Sequence, residues 1–246
     1  MRFIPKTELG SDHLNRQNNQ GIPQTSAEAT ARWSAFGKKK KVRNKLLPQQ
    51  FGLCGYTEFN INDFRSKSSA KKEGCHIEHI KPKKVHPQQT FNYENLIISV
   101  LDDLNLQQFR QDIFMDEQPN NDNSHQLYFG GHRKGDVYDP ALFISPTDAD
   151  CGRYFIFIED SGEITPAPSL TNNDKAKAVY TIDLLNLNHP YLKNQRRKRM
   201  AEIIEDIDDL EDIEEQRIII RAEIAEYAQG QIASFPSAVS SLVLGV

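Results

Sequence analysis

The chain has 246 residues, of which 38% are hydrophobic and 26% are charged, a composition typical of a globular protein that buries a sizeable core. No apolar run approaches the ~20 residues of a membrane-spanning helix, and the first residues lack the apolar segment of a secretory signal. The three cysteines are widely spaced and odd in number, which excludes a disulfide framework. We therefore expect a cytoplasmic protein that does not associate with membranes.

The formal net charge of −4 hides a polarised chain. Residues 1–100 carry 17 Lys and Arg against 8 Asp and Glu, a balance of +9. Residues 101–246 carry 13 against 26, a balance of −13. A basic half suggests a polyanionic partner, because phosphate neutralisation dominates the affinity of proteins for nucleic acids. The alternative is that each half is merely solvated, and charge alone does not decide between the two.

The N-terminal part divides into a polar segment and a basic one. Residues 1–25 are rich in Asn and Gln, which predicts an arm with no fold of its own or an extended segment that lies on a partner. A helix-start pattern predicts a helix from about Ser26 to Leu47. Its second half is strongly basic, and Lys40 and Arg43 are candidate phosphate contacts there. A solvated helix end would explain the same charges.

The most informative stretch runs from Cys75 to Lys84, with two histidines and a carboxylate within four positions and lysines directly after them. In a strand, successive side chains point to opposite faces, so Glu78 and His79 would project from opposite sides of the backbone. That arrangement suits a carboxylate that binds a metal and an imidazole that takes a proton from water. The alternative is a basic loop with ordinary surface histidines.

Two later segments supply further candidate residues. Asn95 precedes an apolar run that predicts a buried strand or a helix start, and its amide could bridge a loop because it both donates and accepts. His132 follows a Gly-Gly break and would occupy a short helix that returns the imidazole to the metal. Arg133 and Lys134 come next and would hold the scissile phosphate or its neighbours. Each segment alone is also typical of an ordinary turn.

The rest of the chain predicts scaffold. Residues 141–145 and 154–165 are typical of β structure, with a hairpin turn at 159–162. From about Pro190 to Gln229, apolar residues recur at three- and four-residue steps, which predicts one long helix. Such a stripe either packs on the core or forms the seam of a homodimer.

Together, Glu78-His79, Asn95 and His132 resemble the His-Asn-His (HNH) ββα-metal nuclease motif. The closer match is to the PtuB-like HNH proteins of Septu and retron-linked anti-phage systems, over roughly residues 30–200. Further segments that carry it are Cys54-Gly55-Tyr56-Thr57-Glu58, His76 to Lys83, Tyr93-Glu94-Asn95-Leu96, Gly130 to Gly135, residues 144–151 and Leu185-Asn186-Leu187-Asn188.

The resemblance implies an α+β fold: a ββα-metal nuclease core with an N-terminal basic helix, a small β section and a long C-terminal helix. We accordingly divide the chain into four parts. These are an arm at 1–25 that could dock a partner, the nuclease core at 26–140, a β-rich accessory section at 141–190, and the C-terminal helix and tail at 191–246.

The resemblance also assigns roles to the residues of the motif. His79 would be the general base, and Asn95 would fix the loop that presents it. Glu78 and His132 would hold one Mg²⁺ or Mn²⁺ ion, with His76 orienting the site or serving as a second ligand. Basic residues of three segments would contact nucleic acid: Lys40, Arg43, Lys81, Lys83, Lys84, Arg133 and Lys134.

Zinc is where this chain departs from the family pattern. Relatives carry four zinc cysteines, and three of these positions are Thr57, Val100 and Gly130 here, with only Cys54 left. We therefore expect no structural zinc ion, and packing must replace its contribution.

The family's partners complete the expectation. A PtuA-like ATPase would hold the protein, in retron versions together with a reverse transcriptase and multicopy single-stranded DNA. The substrate would be DNA or an RNA such as tRNA, because the motif engages a phosphodiester without needing a 2′-hydroxyl. The alternative is a catalytically degenerate adaptor that binds nucleic acid and bridges the ATPase to other components.

Overall fold

The polypeptide combines helices with two small antiparallel sheets, the α+β class expected from the sequence. The computed structural model describes residues 1–6, 10–64, 73–101, 128–227 and 230–242. The regular elements in these ranges are α1 (Asp12–Asn19), α2 (Ser26–Ala35), α3 (Lys39–Gln49), β1 (Cys75–His79), β2 (Leu96–Val100), α4 (Gly131–Lys134), β3 (Phe155–Ile158), β4 (Glu163–Pro166), α5 (Asn172–Leu185), α6 (Pro190–Ile207), α7 (Ile213–Glu223) and α8 (Pro236–Ser241).

Strands β1 and β2 form the antiparallel pair that carries the central stretch. Its register places Glu78 opposite Ile97 and His79 opposite Leu96. All five residues of β2 are buried, as expected for an apolar run with β-branched residues, and α3 packs against both strands. The open choice between a strand and a helix start after Asn95 is therefore settled in favour of a strand.

The N-terminal segment is part of the fold. Met1 and Ile4 are buried in the main core, Leu14 of α1 is buried with them, and the Ile4 amide donates to the carbonyl oxygen of Pro146 at 2.8 Å. The predicted arm with no fold of its own is therefore wrong. Three apolar side chains gave too weak a periodicity to reveal this among so many polar residues, and docking of this segment to a partner stays a prediction.

The basic helix predicted from Ser26 to Leu47 is wrong in one respect, because it consists of two helices, α2 and α3. It starts as predicted, since the Thr25 side chain caps α2 by accepting from the Glu28 amide at 3.2 Å. The break follows at Phe36, whose ψ of 97° leaves helical geometry. Gly37 comes next, and glycine destabilises a helix interior because it gains the most conformational freedom on unfolding.

The single C-terminal helix predicted from Pro190 to Gln229 is also wrong. The chain forms α6 and α7 with an acidic break at residues 208–212, and the Asp212 carboxylate caps α7 by accepting from the Glu214 amide at 2.8 Å. Part of the apolar stripe is buried within the chain, where Ile203, Ile207, Ile220 and Val239 form a second small core. A homodimer seam stays a prediction.

The small β section is confirmed as a hairpin of β3 and β4, with Ile158 opposite Glu163. Residues 141–145 form no strand; the Ile144 amide donates instead to the Thr181 hydroxyl of α5 at 2.9 Å. The main core takes residues from all four predicted parts of the chain. None of the helices in the described ranges is long and apolar enough to cross a membrane, and residues 243–246 of the predicted tail lie outside those ranges.

Candidate functional site

Side chains from β1 and α4 meet at one edge of the β1–β2 hairpin. A Cβ atom at Gly131, the first residue of α4, would lie 2.9 Å from both the Glu78 Oε2 and the His76 Nε2 atoms. The Gly131 amide also donates to the Ser99 hydroxyl of β2 at 3.2 Å. Because a side chain has no room here, glycine is what lets α4 approach the strand. This contact brings His132 beside β1.

The main-chain oxygen of Leu101, directly after β2, lies 2.7 Å from His76 Nδ1 and 2.8 Å from His132 Nε2. The two rings have centroids 4.2 Å apart. A carbonyl only accepts, so both nitrogens carry a proton and the tautomers of the neutral rings are set. Leu101 has a φ of +67°, a left-handed conformation that costs a non-glycine residue about 1–3 kcal/mol.

The two carboxylate oxygens of Glu78 face different side chains. Its Oε1 atom accepts from the Lys134 ammonium at 2.7 Å, and its Oε2 atom lies 3.4 Å from His76 Nε2. Burial alone would raise the pKa of this carboxyl, but the Lys134 charge outweighs it and lowers the pKa to about 2. Glu78 is therefore an anion at neutral pH, the state in which a carboxylate binds a cation.

Lys134 differs from the sequence expectation of a phosphate contact. It is only 1% exposed, and its ammonium donates to Glu78 Oε1, to the His79 carbonyl oxygen at 3.1 Å and to the Gly135 carbonyl oxygen at 3.4 Å. The side chain thus points into the protein. Its residue type gave no signal of this, because lysine is almost never fully buried unless paired.

His79 is 5% exposed, with its Nε2 atom 3.0 Å from the Thr90 carbonyl oxygen and the Trp33 ring packed edge-on at 4.6 Å. Burial lowers the pKa of His79 to about 4, with a further contribution from the Lys83 charge. The imidazole is therefore neutral at pH 7, the form that can accept a proton. With Nε2 on the Thr90 carbonyl, Nδ1 is the nitrogen that would accept it.

Asn95 bridges the loop between β1 and β2. Its Oδ1 atom accepts from the Lys81 amide at 2.7 Å, and its Nδ2 atom donates to the carbonyl oxygens of Lys81 at 3.0 Å and Gln89 at 3.1 Å. Gln89 immediately precedes Thr90, the acceptor of His79. The amide therefore has the loop-bridging geometry that the sequence predicts, while its part in catalysis stays a prediction.

The predicted nucleic-acid contacts fall into two groups besides Lys134. Lys81 and Lys84 are exposed near the site, and Lys83 and Arg133 are partly buried there. The Lys84 ammonium lies 3.5 Å from the Asp136 carboxylate, which joins the loop after β1 to the segment after α4. The second group lies on α3, where Lys40 is exposed and Arg43 pairs with Glu73 at 2.8 Å.

Ser99 lies among three positions at which relatives carry zinc cysteines, Cys54, Thr57 and Gly130. Ser99 was not identified from the sequence. The Cys54 Sγ atom is 3.8 Å from the Ser99 hydroxyl, and a Cβ atom at Gly130 would lie 3.2 Å from that hydroxyl and 3.8 Å from Thr57 Cγ2. A serine hydroxyl and close packing therefore connect the Cys54 loop, β2 and α4. No sequence signal distinguished Ser99 from any other buried strand residue.

A divalent ion would find two donors already converging here. Among the residues that the structure describes, no group of three or more His, Cys, Asp or Glu side chains is arranged to hold a metal ion. Glu78 Oε2 and His76 Nε2, at 3.4 Å, nevertheless fit one ion, since ligands about 2.1 Å from a shared ion are about 3 Å or more apart. His76 donates its other nitrogen to a carbonyl, as metal-bound histidines do. Any contact from His132 would come from Nδ1.

The chain shares sequence similarity with a protein that carries a functional name. No protein-family model matches the chain. The chain is similar to a protein of Vibrio cholerae serotype O1 biovar El Tor named "Retron Vc95 putative HNH endonuclease", with 27% identity over 173 residues that cover 68% of this chain and 67% of the relative. This likeness supports a retron-associated HNH nuclease family. The narrower likeness to PtuB and Septu proteins rests on the sequence motifs.

Proposed function

We propose that the protein is a metal-dependent HNH endonuclease, the effector of a bacterial anti-phage defence system of the Septu or retron type. The observation that carries the proposal is that His76 and His132 share one carbonyl oxygen while the other nitrogen of His76 faces the Glu78 carboxylate, beside a neutral His79 at the adjacent position of β1. The likeness to the retron Vc95 protein supports the same class.

In the proposed reaction, His79 takes a proton from the attacking water at Nδ1, while the Thr90 carbonyl fixes the ring. Asn95 maintains that geometry through its hydrogen bond to Gln89. Glu78 and His76, with His132 beside them, would hold one Mg²⁺ or Mn²⁺ ion, which would stabilise the charge on the pentacovalent phosphate and the leaving oxygen. His76 therefore acts as a ligand in this proposal rather than only as an orienting group.

The substrate and partners follow from charge and from the family resemblance. Lys81, Lys83 and Lys84 follow β1, and Arg133 follows His132 in α4, so positive charge lies next to the site residues in the chain, which suits the phosphates of DNA or of an RNA such as tRNA. A PtuA-like ATPase would restrain the nuclease and release or activate it during infection. The retron name of the relative favours a further assembly with a reverse transcriptase and multicopy single-stranded DNA.

Incubation of the purified chain with DNA and with tRNA, in the presence of Mg²⁺, Mn²⁺ or a chelator, tests the proposal. We expect metal-dependent cleavage of at least one substrate, its loss in His79→Ala, and its retention in Lys177→Met, a surface variant on α5. Because the ATPase is proposed to restrain the nuclease and then to release or activate it, the assay is run with and without the co-expressed ATPase. Binding without metal-dependent cleavage in every condition would favour the adaptor instead.

A further inference from the structure

The proposed reaction gives no role to Lys134, although its ammonium contacts two of the residues that the reaction uses. A lysine that bound substrate phosphate would need to reach solvent, whereas this side chain is buried and its ammonium is 2.7 Å from Glu78 Oε1. A buried ammonium is costly unless it is paired and fully hydrogen-bonded. Its three carboxylate and carbonyl acceptors meet that requirement.

These contacts connect two neighbouring residues of β1 whose side chains have different roles in the proposed reaction. Glu78 and His79 are consecutive residues of the strand, so their side chains project from opposite sides of it. The Lys134 ammonium binds the carboxylate of the first and the main-chain oxygen of the second, at 2.7 and 3.1 Å. One cation therefore fixes the carboxylate relative to the backbone that carries the general base.

Because of this ion pair, the two carboxylate oxygens of Glu78 have different partners. Oε1 lies on Lys134, and Oε2 faces His76 Nε2 at 3.4 Å. A divalent ion on Oε2 would lie within a few ångströms of the ammonium, and two cations that close repel each other. Lys134 should thus orient the carboxylate for the reaction and at the same time weaken the binding of the ion.

We propose that Lys134 is a positioning residue that supplies a fixed second positive charge to the site, occupies one oxygen of Glu78 and leaves the other for a single divalent ion. This inference rests on the proposed function, because it concerns the carboxylate to which that function assigns the ion. It predicts opposite effects when the charge is removed. The ion binds more tightly, and cleavage becomes slower because Glu78 and the His79 backbone lose their common anchor.

Titration of Mn²⁺ into the full-length chain by calorimetry, without nucleic acid, tests this. We expect Lys134→Met to lower the Kd for Mn²⁺ about tenfold or more and to lower kcat by about 100-fold, with KM little changed. Lys177→Met is the matched control, since it removes the same charge from α5, where Lys177 pairs with Asp174 at 3.5 Å. In the double variant Glu78→Gln/Lys134→Met, the gain in affinity should disappear.

If Lys134→Met binds Mn²⁺ no more tightly than Lys177→Met does, the inference is overturned. The proposed function would still stand in that case, provided that the wild-type chain binds Mn²⁺ and cleaves. A wild-type chain that binds no Mn²⁺ overturns both. Circular dichroism checks the fold of each variant. If Lys134→Met does not fold, Lys134→Gln, which retains a hydrogen-bond donor, is measured instead. Failure of both to fold would show a structural role and count against the proposal.

Discussion

His76 and His132 share one hydrogen-bond acceptor, the main-chain oxygen of Leu101, at 2.7 and 2.8 Å. The two imidazoles come from β1 and α4, which are far apart in the sequence, and the acceptor follows β2. A single carbonyl therefore sets the orientation of two rings from separate segments. Since that carbonyl belongs to a residue in a left-handed conformation, the arrangement depends on one unusual backbone torsion.

Gly131→Ala should disable the site with little loss of fold. The new Cβ atom would lie 2.9 Å from Glu78 Oε2 and His76 Nε2, so either these two side chains or α4 must shift. We expect metal-dependent cleavage to fall by about 100-fold and the free energy of unfolding to fall by about 1–3 kcal/mol. Cleavage assays and thermal unfolding measure the two effects.

Gly37→Ala is the matched control for this change. A Cβ atom at Gly37 would meet no heavy atom within 4 Å, so cleavage and stability should remain those of the wild type. If Gly131→Ala cleaves as fast as Gly37→Ala, the close approach of α4 to β1 has no part in the reaction.

Cleavage should persist at mildly acidic pH. Burial lowers the pKa of His79 to about 4, whereas an exposed histidine has a pKa of about 6.5. Because the neutral imidazole is the base, kcat at saturating metal should stay nearly constant from pH 8 to about pH 5 and fall with a midpoint near pH 4. A pH–rate profile of single-turnover cleavage measures this, and a midpoint near 6.5 would rule out a buried base.

The lowered pKa of His79 also predicts how stability depends on pH. The unfolded chain takes up a proton on this residue near pH 6.5, and the folded chain only near pH 4. The resulting stability is fully present above about pH 6.5 and is lost as pH falls to about 4, by up to about 3 kcal/mol. Urea unfolding between pH 4 and 7 tests this. His79→Gln should show a correspondingly smaller slope, and an unchanged slope would contradict the assignment.

Asn95→Ala should loosen the loop that orients the base. The change removes the partners of the Lys81 amide and of the Lys81 and Gln89 carbonyl oxygens, which should cost about 1–3 kcal/mol of stability. We expect kcat to fall by about tenfold or more, because Thr90 follows Gln89 and its carbonyl fixes His79. Unfolding and single-turnover rates are compared with Asn194→Ala on the exposed face of α6, which should match the wild type in both.

Replacing the lysines after β1 should weaken substrate binding and leave the chemical step intact. We expect Lys83→Ala and Lys84→Ala to raise KM. The slope of log affinity against log salt is negative, and its magnitude should decrease by about 0.9 on duplex DNA for each substrate phosphate that the protein no longer neutralises. Filter binding at several salt concentrations measures the slope. Lys193→Ala on α6 removes the same charge elsewhere, and an equal effect there would indicate only a general charge effect.

Local features were largely accessible from the sequence. The strand geometry considered for Glu78 and His79 is the one found in β1, and the turn at residues 159–162 predicted the hairpin of β3 and β4, because both depend on neighbours in the chain. The ends of the helices were harder to predict. Gly37 and the acidic run at 208–212 are each weak helix breakers, and the packing of the second small core decides where α6 ends and α7 begins.

The convergence of the site was less accessible because it depends on contacts between distant segments. Nothing in the sequence around Leu101 indicates a positive φ, since leucine seldom adopts one. The pairing of Lys134 with Glu78 likewise needs the position of α4 on the sheet. The resemblance to the HNH motif named His76, Glu78 and His132, but the carbonyl and the ammonium that arrange them could not be named from the sequence.

The shared acceptor of His76 and His132 belongs to the polypeptide backbone, and this affects how the protein can change during evolution. Exchange of the Leu101 side chain leaves the oxygen in place, so no alignment column would reveal the group that aims both rings. Natural variants could retune it only by altering the local torsion, for example with a glycine that relaxes the bend. Divergent homologues could therefore differ in metal preference while every recognisable motif residue remained the same.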